Sequence, residues 1–166
     1  MSNYLKILVL SFTVLSNGCE AQKNDTLNSP TLRIECILKI EDPTKAIIEL
    51  DEHLNKKSNY GELMSDLSDP EKVVLLIENL EREINNGGFN LFYYNQSGNY
   101  TRETYEALKI IGADRTALIM LKANSAWPDS KVLVNQNDRQ DLLSKIESKS
   151  ERIWNECDST FYEYKD

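Results

Sequence analysis

Apolar residues recur at helical spacing over most of the chain. The clearest stripe follows the start signal Ser68-Asp69-Pro70-Glu71, which combines an N-cap, a proline and a Ser-x-x-Glu capping box. The apolar residues of this stripe are Val73, Leu76, Ile77, Leu80 and Ile84. The pattern predicts a helix that ends at Asn85-Asn86-Gly87-Gly88, where a glycine can adopt the left-handed cap. Glu71, Glu78 and Glu81 fall opposite the stripe, and we expect them to face water.

Further helices are predicted on both sides of this one. A helix begins before it at Asp42-Pro43, and a compact aromatic segment follows it from Phe89 to Asn95. Three later helices begin at the capping residues Thr101, Asp114 and Asp138. The residues expected to face inward are Ile47, Leu50 and Leu54 in the first of these four helices, Tyr105, Leu108 and Ile111 in the second, Leu118 and Leu121 in the third, and Leu143, Ile146, Ile153, Cys157 and Phe161 in the last.

Two segments have a β-like pattern. Residues Leu32 to Ile40 alternate between apolar and mostly polar side chains, which is the period of a half-buried strand. Val132-Leu133-Val134 is a second short apolar run that could pair with it. We therefore expect a mainly α, compact single domain of short helices, with these two runs as a candidate minor two-stranded β element.

The N-terminus has the features of a bacterial lipoprotein signal. Lys6 precedes the apolar block from Ile7 to Leu15, which is too short to span a bilayer but suits a secretory signal. The run that ends in Gly18-Cys19 looks like a relaxed lipoprotein cleavage box. We expect residues 1–18 to be a signal peptide, 19–43 a lipidated N-terminus with a polar tether and the short strand, and 44–166 the helical domain. The alternative is an N-terminal core strand or helix.

The signal predicts a membrane-anchored lipoprotein of the cell envelope, facing the periplasm or the outside. If Cys19 carries lipid, Cys36 and Cys157 remain as an even pair that could form a disulfide in an oxidising compartment. The alternative for this pair is two separate buried thiols. No metal site is expected, because the chain has one histidine, His53, and no Cys-x-x-Cys spacing. We predict no catalytic residue and no cofactor.

The charge is unevenly distributed along the 166 residues. Twenty-seven acidic and nineteen basic residues give a net charge of −8 and a pI near 4.8, which argues against direct nucleic-acid binding. Residues 41–83 contain twelve acidic and five basic residues, whereas residues 84–137 contain four and five. The acidic segment, with Glu71, Glu78 and Glu81 on one helix, predicts a docking face for a basic protein. The alternative is a charged surface that serves solubility alone.

A distinctive motif surrounds the glycine pair and returns at the end of the chain. Its residues are Asn85, Asn86, Gly87, Gly88, Phe89, Phe92, Asn95, Ser97, Gly98, Gly112, Asp158, Phe161 and Tyr162. This motif resembles the bacterial domain-of-unknown-function family that contains a DNA mimic protein, over roughly residues 44–166. Leu91 and Cys157 stand where that family usually has a polar residue and leucine.

The resemblance implies a small helical domain, often dimeric, whose characterised member uses surface carboxylates to occupy a DNA-binding transcription factor. A cytoplasmic DNA mimic is therefore the alternative to an envelope lipoprotein with an inhibitory or immunity-like role. The two interpretations conflict, because an envelope lipoprotein meets no transcription factor. A third hypothesis is a small-ligand binder or enzyme at the motif, with Asn85, Asn86, Phe89, Tyr93 and Asn95 in one pocket. The alternative for the motif, which we favour, is a structural turn with an aromatic plug between two helices.

Overall fold

The computed structural model describes residues 30–163, which fold into six α-helices connected by short loops and 3₁₀ turns. The predicted signal peptide, Cys19 and the polar tether lie outside these residues. The helices are α1 (Pro30–Ile37), α2 (Pro43–Lys57), α3 (Asp69–Tyr94), α4 (Thr101–Ile110), α5 (Asp114–Asn124) and α6 (Gln136–Glu163). The 3₁₀ turns are Met64–Asp66, Gln96–Tyr100 and Pro128–Ser130. The prediction of a mainly α domain is confirmed.

Local capping signals begin two helices where the sequence predicts them. The carboxylate of Asp42 accepts hydrogen bonds from the backbone N–H groups of Thr44 and Lys45 at the start of α2. At the start of α3, the Ser68 N–H donates to Glu71 Oε2 at 2.7 Å, and the capping box is complete. These bonds satisfy N–H groups that have no partner within the helix.

The main core lies between the C-terminal part of α3 and helices α4, α5 and α6. Its largest buried side chains are aromatic and come from α3, α6 and the loop after α5. They are Phe89, Phe92, Tyr93, Trp127 and Trp154. Leu118 and Leu121 are 63% and 44% exposed. The residues of α5 that pack inward are Ala117, Ile119, Met120 and Ala123. The prediction that these two leucines face inward is wrong, because small alanines allow α5 to approach the core on the adjacent face.

A second, smaller core lies on the other side of α3. Its buried residues are Ile37, Leu50, Leu54, Leu67, Val74 and Leu75. This core joins α1, α2 and the first turns of α3. The first turns of α3 therefore bury apolar residues on two faces, one toward each core.

The predicted β element is absent from residues 30–163, which contain no strand. Residues Pro30–Ile37 form helix α1, and Val132–Val134 lie in an irregular segment before α6. Ile37 shows why the strand predicted over Leu32 to Ile40 is wrong. It breaks the alternation of apolar and polar residues, and it lies one helical turn from Ile34 on the side of α1 that packs against α2. The loss of the first strand leaves the second run without a partner.

Helix α3 does not stop at the glycine pair. Its backbone leaves helical geometry at Gly87 (φ −174°, ψ 21°) and Gly88 (φ 71°, ψ −170°), and the helix then resumes through the aromatic segment to Tyr94. The predicted stop is therefore a break between two helical segments. Within residues 30–163, no helix combines the length and apolar character needed to cross a membrane.

Candidate functional site

The break in α3 is capped by a side chain from α6. The backbone N–H of Phe89, which begins the second helical segment, donates to Asp158 Oδ1 at 2.8 Å. Gly88 lies against the same carboxylate, so that a Cβ at this position would be 2.1 Å from Asp158 Oδ2. Burial raises the pKa of Asp158, and the bond from Phe89 acts against that rise. Asp158 therefore works as an N-cap supplied from another helix.

The aromatic residues after the break belong to the core. Phe89, Phe92 and Tyr93 have no exposed surface, and the ring of Tyr93 lies 5.2 Å from Trp127 and 5.5 Å from Trp154 between centroids. The Tyr93 hydroxyl donates to the side-chain oxygen of Asn124 on α5 at 2.7 Å. Burial raises the pKa of Tyr93 well above its ordinary value, so the phenol stays neutral. These side chains fill the core and present no polar end to solvent.

A buried arginine, Arg139, holds the end of α3 against α6. Its guanidinium donates four hydrogen bonds of 2.6–2.9 Å to the backbone oxygens of Tyr93, Asn95, Leu133 and Val134. Burial lowers the pKa of Arg139 to about 10, which leaves it charged at neutral pH. Gly98 makes room for it, since a Cβ there would lie 2.6 Å from Nε of Arg139. The burial of Arg139 is not predicted from the sequence, because a charged residue in the first turn of an amphipathic helix resembles a surface position.

Three further hydrogen bonds stabilise the motif. Glu83 accepts a hydrogen bond from Asn95 Nδ2 at 2.7 Å and another from Ser97 Oγ at 3.0 Å. The hydroxyl of Tyr162 donates to the backbone oxygen of Ile84 at 2.6 Å, just before the break. Of the other motif residues, Gly112 ends α4 with φ 76°, and Phe161 packs half-buried on the main core.

The residues of the hypothetical ligand pocket at the motif differ in exposure. Asn85 and Asn86 are exposed, whereas Phe89 and Tyr93 are fully buried, and Asn95 lines a cavity. The polar motif residues Asn95, Ser97, Asp158 and Tyr162 are bonded to neighbouring backbone and side chains. The motif is therefore a structural joint between α3 and α6.

The three predicted docking glutamates lie on α3 but do not all face open water. Both carboxylate oxygens of Glu71 are 2.8 Å from Nζ of Lys57, in addition to its capping bonds with Ser68. Glu78 and Glu81 are half-buried. The glutamates are less exposed than predicted because Val74 and Leu75 give α3 a second apolar face on the side where the glutamates lie.

The pKa values of these glutamates differ in direction. Burial tends to raise the pKa of Glu71, but the bonds from Lys57 and Ser68 outweigh it and hold the pKa below the ordinary value. For Glu78, burial together with the nearby carboxylates of Glu81 and Asp51 raises the pKa to about 7. Burial also raises the pKa of Glu81. The second and third glutamates thus belong to a carboxylate cluster that lacks a full complement of cations.

The structure keeps Cys36 and Cys157 as thiols rather than the candidate disulfide. Cys36 lies in α1, which packs against α2, whereas Cys157 lies without exposed surface in the main core. Burial raises the pKa of the Cys157 thiol to about 11. A thiol in that environment behaves as a small apolar core residue.

A polar groove of about 780 Å³ lies between α2, α3 and the 3₁₀ turn before α4. Its wall contains three carboxylates, one guanidinium, several amides and two tyrosines. They include Asp51, Glu52, Asn55, Tyr60, Asn79, Arg82, Glu83, Asn95, Gln96, Tyr100 and Gln136. The groove adjoins the carboxylate cluster, since Asp51 takes part in both. The sequence analysis did not anticipate the groove, because residues about eighty positions apart meet in it.

Comparison with known protein families identifies one family that matches the chain. A family model described as DMP19-like protein matches residues 65–166, from just before α3 to the C-terminus. No curated protein and no solved structure matches the chain. The matched region contains the α3–α6 joint and agrees with the resemblance to the family that includes a DNA mimic protein. Because the match covers more than half of the sequence, the chain belongs to the DMP19-like protein family.

Proposed function

We propose that this chain is an interaction module that binds a basic protein through the acidic side formed by α2 and the first half of α3. The observation that supports the proposal is the charge of residues 41–83, which carry twelve acidic and five basic residues in one layer of the fold. A surplus of this size steers a basic partner over a Debye length of about 8–10 Å.

The basic residues of this layer are mostly engaged inside it. Four of the five form ion pairs within the layer, namely Lys56 with Glu52, Lys57 with Glu71, Lys72 with Asp69 and Arg82 with Asp51. Eight of the twelve carboxylates of residues 41–83 have no ion pair with any residue of 30–163. They are Glu41, Asp42, Glu49, Glu62, Asp66, Glu78, Glu81 and Glu83. The negative surplus therefore remains available to a partner.

The cluster of Asp51, Glu78 and Glu81 is the part of this surface best prepared for a cation. The raised pKa of Glu78 reflects first the free-energy cost of burying its carboxylate and then that of holding it near the carboxylates of Glu81 and Asp51. A lysine or arginine from a partner would favour the ionised form, so that binding offsets this cost. Membership of the DMP19-like family supports the same partner class, because a DNA mimic presents carboxylates to a protein that binds phosphates.

A matched pair of double variants tests the proposal. Glu78→Gln with Glu81→Gln removes two charges from the cluster, and Glu103→Gln with Glu106→Gln removes two from the exposed side of α4. Proteins captured from a cell extract at low salt should be retained by the wild type and the α4 variant, and lost with the cluster variant or at high salt. Capture that depends on neither the cluster charges nor salt would contradict the proposal.

The cellular location of the protein decides which class of basic protein it can meet. We propose attachment to the envelope through lipid on Cys19, which gives an inhibitory or immunity-like module. A cytoplasmic chain would instead act as a DNA mimic on a DNA-binding protein. Labelling cells with a clickable fatty acid should mark the wild type and not Cys19→Ala, since acyl chains on that cysteine provide the anchor. An unlabelled wild-type protein that keeps Met1 would favour the DNA mimic.

A further inference from the structure

The wall of the polar groove is rich in hydrogen-bond acceptors. The side-chain N–H groups of Asn55 donate to the backbone and carboxylate of Asp51, at 2.9 and 2.8 Å. Likewise Asn95 donates to Glu83, and Gln136 donates to a backbone oxygen at the end of α3. Within residues 30–163, no donor bonds to the amide oxygens of Asn55, Asn95 or Gln136. These oxygens remain as acceptors for a ligand.

The charged groups of the groove favour a cation. Three carboxylates line it, and its one guanidinium, on Arg82, donates to Asp51 at 2.8 Å and also to Asn79. The charge of Arg82 is therefore already paired with Asp51, and each carboxylate of the groove can accept further bonds, since an ionised carboxyl has about four lone-pair sites. An anion would meet repulsion here, and a neutral ligand would leave the negative surplus unmatched.

Two tyrosines add flat apolar surface to these acceptors. Tyr60 is 67% exposed at the rim, and the hydroxyl of Tyr100 is fixed to the backbone oxygen of Gly61 at 2.8 Å. A planar cation with many N–H groups and no acceptor suits such a site, because it can stack on a ring while it donates in its own plane. Guanidinium has this form, whereas an ammonium is a compact charge with three donors.

We infer that the groove receives an arginine side chain of the basic partner, with its guanidinium between the tyrosines and the acceptors of α2 and α3. This inference rests on the proposed function and gives it a specific contact. It places arginine recognition at the groove, beside the carboxylate cluster that supplies the general attraction.

The test uses the full chain and short peptides of defined charge. The acetylated and amidated peptide Gly-Arg-Gly-Arg-Gly is titrated by calorimetry, together with versions in which lysine or the neutral isostere citrulline replaces arginine. The arginine peptide should bind most tightly, and the citrulline peptide should bind at least about tenfold more weakly, since it lacks the charge. Equal binding of the arginine and lysine peptides, equal binding of the arginine and citrulline peptides, or no binding at millimolar concentration would each overturn the inference.

Two matched variants locate the site. Tyr60→Ala with Glu52→Gln removes one ring and one exposed carboxylate from the groove, and Tyr94→Ala with Glu103→Gln removes the same groups elsewhere. Unfolding curves of both variants verify the fold. The groove variant should bind the arginine peptide about tenfold more weakly, and the control should bind it as the wild type does. Equal binding by both variants would overturn the inference. If partner capture still depended on Glu78 and Glu81 in that case, the proposed function would stand.

Discussion

Helix α3 is held by two regions that differ in how completely their polar groups are satisfied. In the α3–α6 joint, which surrounds Gly88, the buried groups of Asp158 and Arg139 are bonded to backbone, and fully buried aromatic rings pack around them. In the N-terminal layer, formed by α1, α2 and the first half of α3, six buried apolar residues are bordered by ion pairs and unpaired carboxylates. The polar groups of the joint are therefore used within the fold, whereas the layer has unpaired carboxylates, on which the proposed interaction rests.

The difference shows why a distinctive motif need not mark a binding site. The motif residues are unusual because a break in a helix needs particular side chains, here a glycine, a capping carboxylate and a buried guanidinium. Residues of the N-terminal layer, such as Asp51 and Asn79, belong to no motif. They line a groove because two helices meet there.

Loss of Arg139 should produce the largest loss of stability. Arg139→Met keeps the length of the side chain but leaves four backbone oxygens without their donor, which should lower the free energy of unfolding by roughly 3–5 kcal/mol. Arg152→Met is the matched control, since Arg152 is exposed and should change the value by less than about 0.5 kcal/mol. Urea unfolding measures both. A cost for Arg139→Met as small as the control's would refute a structural role of the buried guanidinium.

The two glycines with positive φ in helical regions should respond differently to alanine. Gly88→Ala adds a clash with Asp158 to the strain of φ 71°, so we expect a loss of about 2–4 kcal/mol. Gly112→Ala meets nothing within 4 Å, and φ 76° alone should cost about 1 kcal/mol. Thermal unfolding of the two variants separates the contributions. Equal losses would mean that Asp158 does not press against the break.

Local signals in the sequence are sufficient to predict where α2 to α6 begin, but not α1 and not which helices pack against each other. The Asp42 and Ser68 caps are bonds between residues two or three positions apart, so the sequence contains them in full. The glycine pair gives the same local signal for a stop and for a break. The difference depends on Asp158, which lies seventy residues later and caps the second segment. Arg139 was missed for the same reason, because its bonds reach residues more than forty positions away.

Contacts between residues distant in the sequence also explain the wrong predictions in the N-terminal layer. The stripe beginning at Val73 correctly predicted the face of α3 that packs on the main core. Val74 and Leu75 follow it directly and signal a second apolar face, but what covers that face depends on α1 and α2. The glutamates were therefore predicted on an open surface, although Glu71 lies at the contact with α2.

The ion pairs of the N-terminal layer should contribute less than the bonds of the joint. The side chains of Lys57 and Glu71 are 25% and 11% exposed, so Lys57→Ala should cost about 1 kcal/mol. Lys56 and Glu52 are about 60% exposed on the same helix, and Lys56→Ala should change stability by at most about 0.5 kcal/mol. Chemical denaturation in low and high salt measures both. If Lys57→Ala were as silent as Lys56→Ala, the pair would not help to hold α2 on α3.

Two glutamates on one helix should give opposite dependences of stability on pH. The pKa of Glu71 is below its ordinary value in the fold, so Glu71 stabilises the protein when ionised, and this contribution is lost as the pH falls through the lowered pKa. The pKa of Glu78 is raised to about 7, so its ionised form disfavours the fold. Its effect on stability grows less favourable as the pH rises from about 4.5 to about 7, and above that the cost is fully present.

Glutamine at each position isolates these contributions, because it keeps the shape and removes the titration. Glu78→Gln should raise the stability most above pH 7 and leave it nearly unchanged near pH 4.5. Glu71→Gln should lower the stability at neutral pH, with the loss fading in acid as the wild-type carboxylate becomes protonated. Unfolding midpoints measured between about pH 2 and 8 for the wild type and both variants give the two differences directly. Differences with the same sign of slope would contradict the assignment of Glu71 to an ion pair and of Glu78 to an under-compensated carboxylate cluster. That cluster is the feature to which we attribute the proposed affinity of the N-terminal layer for a basic partner.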